Sequence, residues 1–218
     1  MNTTWHSACS ALLLCEQKHR RLLESSLTAI HGLGRSDILR QPAVGLICSV
    51  QCPGSIVIKT FDAIRKLRDA GIVVAGGFHS PMEEECLDFL LRGEQPVIVC
   101  PAKGLARLRM PASWRTAIDA GRLLLISPFD DKITTATKDR AATRNEFVAA
   151  ISDVILIPHA SPGGKAEVIA KRVLKRHQPL FTFDDDQNQT LLQLGARPYN
   201  LAAIRCSILA DSNREPCA

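Results

Sequence analysis

A glycine turn between an apolar strand and a helix is the feature of this chain with the most evident chemistry. Residues 154–158 are all apolar, the turn after them contains Pro162, Gly163 and Gly164, and Lys165 stands in the first turn of the following helix. Such a turn leaves backbone N–H groups unpaired, and the helix dipole adds partial positive charge there. The segment therefore predicts a binding site for a phosphate or another anion.

Other predicted strand ends carry residues that suit the same ligand. In parallel α/β sheets, ligands bind at the carboxyl ends of the strands, near the point where strand order reverses. We therefore predict that segments 49–55, 76–80, 127–131 and 159–165 line one pocket. The candidate binding residues in these segments are Ser49, Gln51, Gly54, Ser55, Gly76, Gly77, His79, His159, Gly163, Gly164 and Lys165.

Short apolar strands alternate with helices from residue 42 onward. Strands are predicted at residues 44–49, 72–75, 97–100, 123–126, 154–157 and 180–183. Helices are predicted at residues 55–70, 83–92, 113–120, 141–152, 165–177 and 187–194. This alternation predicts an α/β, Rossmann-like fold, with a mostly parallel sheet and helices on both faces. Cys48, Val99, Leu125 and Ile155 are expected in its core.

The chain of 218 residues is long enough for one large domain. We expect residues 1–40 to form a short helical N-terminal segment, residues 41–211 the Rossmann-like domain, and residues 212–218 a loose tail. No apolar run reaches the roughly 18 residues that a membrane span needs. In residues 1–21 the basic side chains follow the apolar stretch, whereas a secretory signal has them before it.

The eight cysteines are interpreted as free thiols of a cytoplasmic protein. Cys48 and Cys52 form one close pair, which is too little for a zinc site, so we predict neither metal nor cofactor. The net charge of +5 favours anionic partners. The basic residues between Lys165 and Arg176 are interpreted as a solvated helix face.

The helix before the fifth predicted strand carries a specific pattern, Arg144-Asn145 followed by EFVAAISD. It resembles the Arg-Asn-Arg-Ile-Ile-Ala-Gly-Leu-Ser-Asp helix of the DprA/Smf family of DNA-processing proteins, in the SLOG group of Rossmann-like folds. The sequences IVVAGGF at 72–78 and LISPF at 125–129 follow the family's order. The resemblance covers about residues 43–195. It implies DNA binding and a homodimer, and it adds Arg144 and Asn145 to the candidate site.

Several positions differ from the family patterns. The first strand runs into Cys48-Ser49-Val50-Gln51, which lacks the arginine of the Gly-Ser-Arg turn in DprA proteins, and Glu146 replaces the second arginine of the helix. The turn at 162–164 resembles that of LOG-type nucleotide phosphoribohydrolases, but Ala170 stands where those enzymes have a catalytic glutamate.

Three functions therefore stay open. The first, which we take as the working hypothesis, is a DprA-like single-stranded DNA-binding protein. Its phosphate-binding rim would consist of Lys103, Lys138, Arg140, Arg144 and Lys165. The second is a SLOG-type nucleotide-binding sensor. The third is a LOG-like enzyme that cleaves a nucleoside monophosphate, with Glu83, Glu84, Glu85 and Glu167 as the available carboxylates. The sequence leaves catalysis open and favours a binding role.

Overall fold

A computed structural model describes residues 4–8, 16–24 and 29–212. The loose tail predicted for residues 212–218 lies outside this part from residue 213 onward. The described strands are β1 (Thr4–Ala8), β2 (Ala29–Leu33), β3 (Ala43–Leu46), β4 (Val73–Gly76), β5 (Val97–Val99), β6 (Leu123–Ser127), β7 (Val154–Leu156), β8 (Leu180–Thr182) and β9 (Arg197–Pro198). The described α-helices are α1 (Glu16–Glu24), α2 (Gly54–Asp69), α3 (Pro81–Leu91), α4 (Ala112–Asp119), α5 (Lys138–Ile151), α6 (Lys165–Lys175), α7 (Gln189–Gln193) and α8 (Leu201–Ser212).

These strands form one mostly parallel sheet in the order β1-β2-β6-β5-β4-β3-β7-β8-β9. All pairs from β6 to β9 are parallel. Alternate residues of each parallel strand pack into two apolar clusters, because successive side chains point to opposite faces. Cys48, Val99, Leu125 and Ile155 are at most 6% exposed. The predicted α/β, Rossmann-like fold is confirmed.

The sheet reverses its strand order beside β3. The chain adds β4, β5 and β6 on one side of β3, and then adds β7, β8 and β9 on the other side. The loops after β3 and β7 diverge at such a point and leave a crevice between them. The described helices include none long and apolar enough to cross a membrane.

The N-terminal segment was expected to be helical over residues 1–40, and the structure shows strands there as well as a helix. It contains the helix α1, but β1 and β2 pair antiparallel with each other, and β2 pairs antiparallel with β6. Strand propensity depends on what the strand pairs with, and the apolar edge of β6 is available to β2, whose Ile30 is fully buried. The ring of Trp5 packs on β2 where Gly32 has no side chain, since a Cβ there would lie 2.2 Å from the ring.

A buried ion pair attaches α1 to the amino ends of the central strands. Lys18 is 2% exposed, and its Nζ lies 2.9 Å from Asp153 Oδ2. The same ammonium donates to the carbonyl oxygens of Leu39, at 3.3 Å, and Gln41, at 2.9 Å. Asp153 Oδ2 also accepts a hydrogen bond of 2.7 Å from the backbone N–H of Ala43, the first residue of β3. The pair therefore fixes the amino ends of β3 and β7 relative to α1.

Candidate functional site

A cavity of about 350 Å³ opens at the carboxyl ends of β3, β4 and β7. The loops after these strands form three of its sides, and the first two turns of α5 form the fourth. Six of the predicted site residues line it: Ser49, Gln51, His79, Asn145, Gly164 and Lys165. A second cavity of about 500 Å³ adjoins the first at Val50, Gln51 and Ser161, and His159 lines it.

The other predicted residues lie around these cavities. Gly54 and Ser55 are exposed at the start of α2, and Gly163 is exposed at the tip of its turn. Gly76 and Gly77 are buried between the end of β4 and its neighbours.

Segment 127–131 does not reach the pocket, and its predicted place there was wrong. It follows β6, which is separated from β3 by β5 and β4. Asp131 Oδ1 instead accepts hydrogen bonds of 3.0 and 3.1 Å from the backbone N–H groups of Leu105 and Ala106. Segment 127–131 therefore closes the loop after β5. Lys103 lies in the loop after β5, and its carbonyl oxygen accepts a hydrogen bond from Ser127 Oγ.

Hydrogen bonds join the loops after β3 and β7 across the crevice. Ser49 donates its backbone N–H to the carbonyl oxygen of His159 at 3.1 Å. Ser49 Oγ accepts a hydrogen bond of 2.9 Å from the backbone N–H of Ser161. The Cys48 thiol also faces the His159 carbonyl oxygen, with Sγ at 3.6 Å. The two loops therefore form one wall of the pocket.

The glycine turn has the backbone conformation expected of it, but one of its N–H groups already donates to a side chain of the following helix. Gly163 has φ of +68°, a conformation that favours glycine. Its N–H donates to Glu167 Oε2 at 2.8 Å. The bonds from Lys171 and then from Gly163 hold the pKa of Glu167 below its usual range. Gly164 is the N-cap residue of α6 and provides no side-chain cap, so the first N–H groups of the helix have no capping side chain.

Two lysines provide positive charge at the rim. Lys165 Nζ donates to the carbonyl oxygen of Lys138 at 2.6 Å and lies 3.3 Å from Asp139 Oδ1. Lys138 is exposed and begins α5, so the amino ends of α5 and α6 meet there. Among the described residues, the lining contains no aspartate or glutamate. The rim therefore suits an anion.

Arg144 lies beneath the pocket and does not line it. Its side chain is fully buried, Nη1 donates to the carbonyl oxygen of Cys100 at 3.2 Å, and Nη2 lies 3.0 Å from His79 Nδ1. The guanidinium packs against Gly77, where a Cβ would lie 1.0 Å from Nη1. Arg144 in this arrangement positions His79, instead of contacting phosphate from the surface as we had expected.

Glu83 completes this buried network. His79 Nδ1 lies 3.1 Å from Glu83 Oε2, which also accepts hydrogen bonds from Ser80 Oγ at 2.8 Å and from the Ser80 backbone N–H at 3.2 Å. Ser80 in turn caps α3. Between Gly77 and His79, buried Phe78 has φ of +46°, which is strained for a bulky residue. The Arg144–Glu83 network therefore holds His79 at the pocket.

Asn188 is a residue of the site that the sequence reasoning missed. It is 1% exposed, and its Oδ1 lies 3.2 Å from His159 Nδ1. Its Nδ2 donates to the carbonyl oxygens of Pro158, at 2.8 Å, and Phe183, at 3.2 Å. Asn188 thus sets the orientation of the His159 ring from the loop after β8. In the sequence, Asn188 stands in the polar run DDDQN and has no distinguishing signal.

Acid stability provides a test of the Glu83 contacts. Burial alone would raise the pKa of Glu83, but the His79 bond and the charges of His79 and Arg144 bring it below its ordinary value of 4.5. A carboxyl of this kind stabilises the fold above its unfolded pKa, and the stabilisation is lost as pH falls through the folded pKa. Urea unfolding between neutral pH and about pH 3 is expected to show a shallower loss for Glu83→Gln than for wild type. The exposed neighbour variant Glu84→Gln should keep the wild-type slope, and equal slopes for all three proteins would show that Glu83 contributes nothing below pH 4.5.

Comparison with known proteins identifies the fold. No protein-family model and no curated protein matches the sequence. The structure of DNA processing protein A (DprA) from Streptococcus pneumoniae is similar over 96% of this chain and 74% of its own, with a TM-score of 0.75 and 16% identity. DprA from Helicobacter pylori, described for its single-stranded DNA binding mode, is similar over 85% of this chain and 88% of its own, with a TM-score of 0.69 and 21% identity.

More distant similarity extends to a small-ligand carrier. The molybdenum cofactor carrier protein of Chlamydomonas reinhardtii aligns with 78% of this chain and 99% of its own, with a TM-score of 0.54 and 12% identity. At sequence identities of 12–21%, similarity to these structures shows the fold alone, and function has to be argued from the residues of the site. The chain therefore has the DprA-like fold that its sequence resemblance predicts.

Proposed function

We propose that this chain is a DprA-like protein of DNA processing that binds single-stranded DNA in the pocket at the carboxyl ends of β3, β4 and β7. The observation that carries the proposal is the chemistry of the lining. Lys138 and Lys165 supply positive charge at the rim, although Asp139 pairs with Lys165 there. None of the described residues that line the cavity is acidic, and Ala141, Ala142 and the exposed Val50 form an apolar side. A nucleotide needs both, since its phosphate is anionic and its base has an apolar face.

The pocket suits one nucleotide of a longer strand. Lys138, Lys165 and the first N–H groups of α6 would bind phosphate oxygens. The base would lie against Val50 and Ala142, with Gln51 and Asn145 as hydrogen-bonding groups beside it. The single-stranded DNA binding described for the Helicobacter pylori protein supports the assignment. A cytoplasmic homodimer belongs to the same proposal and rests on the DprA resemblance.

Charge reversal at the rim tests the proposal. We expect the double variant Lys138→Glu with Lys165→Glu to bind a fluorescent oligothymidylate more weakly by at least about tenfold, because two phosphate contacts are lost. The slope of log affinity against log salt should flatten by about 1.4 units, since each phosphate contact to a single strand contributes roughly 0.7. Fluorescence anisotropy across a salt series measures both quantities.

A matched control separates the pocket from overall charge. Lys66 is an exposed lysine at the end of α2, on the opposite edge of the sheet, and Lys66→Glu should keep the affinity within about twofold. Equal affinities of the double variant and Lys66→Glu would contradict DNA binding in this pocket.

A single nucleotide is the second candidate ligand, and the arrangement of charges favours it. With Arg144 buried and Glu167 bonded to Gly163, the lining contains two lysines, enough for one or two phosphates. A mononucleotide would raise the melting temperature, and its affinity would depend weakly on salt. If wild-type protein binds no oligothymidylate at low salt and a mononucleotide stabilises it, the sensor function replaces the DNA function.

Cleavage of a nucleoside monophosphate has less support from the geometry. Glycosidic cleavage needs a carboxylate close to the anomeric carbon. Glu83 is bonded to Ser80 and His79, Glu167 is bonded to Gly163 and Lys171, and neither lines the pocket.

A further inference from the structure

A second basic surface lies at the opposite edge of the sheet. A groove of about 660 Å³ separates α1 from the last turn of α6, and we name it the amino-edge groove. Helix α6 begins at the pocket with Lys165 and ends at the groove with Lys175. At 1.5 Å per residue, the two sites are about 15 Å apart along the helix.

The groove concentrates positive charge. Among the residues that the structure describes, five cationic side chains and one carboxylate line it: Arg20, Arg21, Arg172, Lys175, Arg176 and Glu24. Cations at the ends of α1 and α6 favour the helix dipoles, which explains some of them. Arg20, Arg172 and Lys175 are exposed, so the groove also presents positive charge to solvent.

The ion pairs around the groove leave cationic groups available. Glu24 Oε2 lies 3.2 Å from Arg176 Nε, and Arg172 is paired with Glu146 outside the groove. In the described part of the chain, Arg176 Nη1 is buried without a hydrogen-bond acceptor, and exposed Lys175 has no carboxylate within ion-pair distance. An incoming anion would supply the counter-charge that exposed Lys175 lacks, and a small outward movement of the Arg176 side chain would bring Nη1 to the same anion.

The chemistry of the lining selects the kind of partner. The three remaining lining residues, Gln17, His177 and Gln178, are also polar. The core of a protein–protein interface is apolar, and no lining residue here is. Arginine guanidinium groups match the geometry of phosphate oxygens. The described part of the lining holds no aromatic residue on which a base could stack, so the backbone is the part that would be bound.

We infer that the amino-edge groove is a second nucleic-acid site, which binds the phosphodiester backbone of a strand without reading its bases. The inference rests on the proposed function for its partner, single-stranded DNA. It adds that one chain contacts DNA at both edges of the sheet, with α6 between the two contacts. Binding at the groove should be independent of base identity and sensitive to salt.

The number of short strands bound by each chain tests the inference. An oligothymidylate of about three nucleotides is too short to bridge the two sites, because a strand advances roughly 3.4 Å per stacked nucleotide. Native mass spectrometry at low salt should find two such strands per wild-type chain. It should find one strand for the groove variant Arg20→Glu with Lys175→Glu, and one for the pocket variant Lys138→Glu with Lys165→Glu. Arg205→Glu, an exposed charge reversal on α8, should keep two.

The outcomes separate the two proposals. One strand per wild-type chain, lost in the pocket variant and kept in the groove variant, would overturn the groove and keep the pocket. One strand lost only in the groove variant would overturn the pocket and keep the groove. No strand on wild type would overturn both.

Two further measurements distinguish a loss of binding from a loss of folding in the double variants. Lys175→Gln removes one charge from an exposed side chain and should weaken the second binding step by several-fold. Saturating oligothymidylate should also protect Lys175 from acetylation in the wild-type protein. Unchanged binding by Lys175→Gln together with full acetylation of Lys175 would overturn the inference.

Discussion

Replacing Arg144 with methionine is expected to lower the free energy of unfolding by about 3–5 kcal/mol. The guanidinium is fully buried and donates to Cys100, and its positive charge lies near the carboxylate of Glu83. Removing it would take away one of the positive groups beside the buried Glu83 carboxylate, and His79 would lose its contact with Nη2. Urea denaturation followed by circular dichroism measures the loss.

The same helix offers a control for this substitution. Arg140 lies one turn earlier in α5, and its Nη1 donates to the carbonyl oxygen of Thr135 at the surface. Arg140→Met should change the stability by no more than about 0.5 kcal/mol. Adding Glu83→Gln to Arg144→Met should recover part of the loss, since both charges are then gone. A loss below about 1 kcal/mol for Arg144→Met would mean that the guanidinium is solvated and free to contact a ligand.

Placing a single methyl group at position 77 is expected to cost about 3 kcal/mol of stability. In Gly77→Ala the new Cβ would lie 1.0 Å from Arg144 Nη1, so the fully buried guanidinium would have to shift. The variant should therefore disrupt the contacts of Arg144 with Cys100 and His79. Thermal and urea unfolding measure the cost, and the position of His79 can be followed by the NMR shifts of its ring.

Gly54 provides the matched glycine control. An added Cβ there has no neighbour within 4 Å, so Gly54→Ala should be neutral or slightly stabilising. If Gly77→Ala and Gly54→Ala are equally stable, Arg144 has room to move and does not position His79.

The strands that are predictable from the sequence are the ones buried on both faces. Segments such as 154–157 are continuous apolar runs, and that signal is local. Strands β1, β2 and β9 lie at or near the sheet edges and are defined by their pairing, as β2 is by β6. Their sequences contain little that distinguishes them from a helix or a loop.

The part of the pocket that could be predicted is the part that follows from the parallel arrangement of the strands. Parallel strands place their following loops at one edge, which brought Ser49, His79 and Lys165 together. Strand order is not written in the sequence, so segment 127–131 was placed in the pocket although β6 is three positions away from β3. The burial of Arg144 depends on the missing side chain of Gly77, which belongs to another element and gives no local signal.

The buried pair between Lys18 and Asp153 has a consequence for the order of events during synthesis. Helix α1 leaves the ribosome early, but its lysine meets the aspartate only after more than half of the chain has followed. Until β7 has been made, α1 exposes a face that later becomes interior, and the amino end of β3 lacks the acceptor for Ala43. Domains fold as units once their parts are available. The N-terminal segment is thus translated before β7, and it can be fixed in place only after β7 has been made.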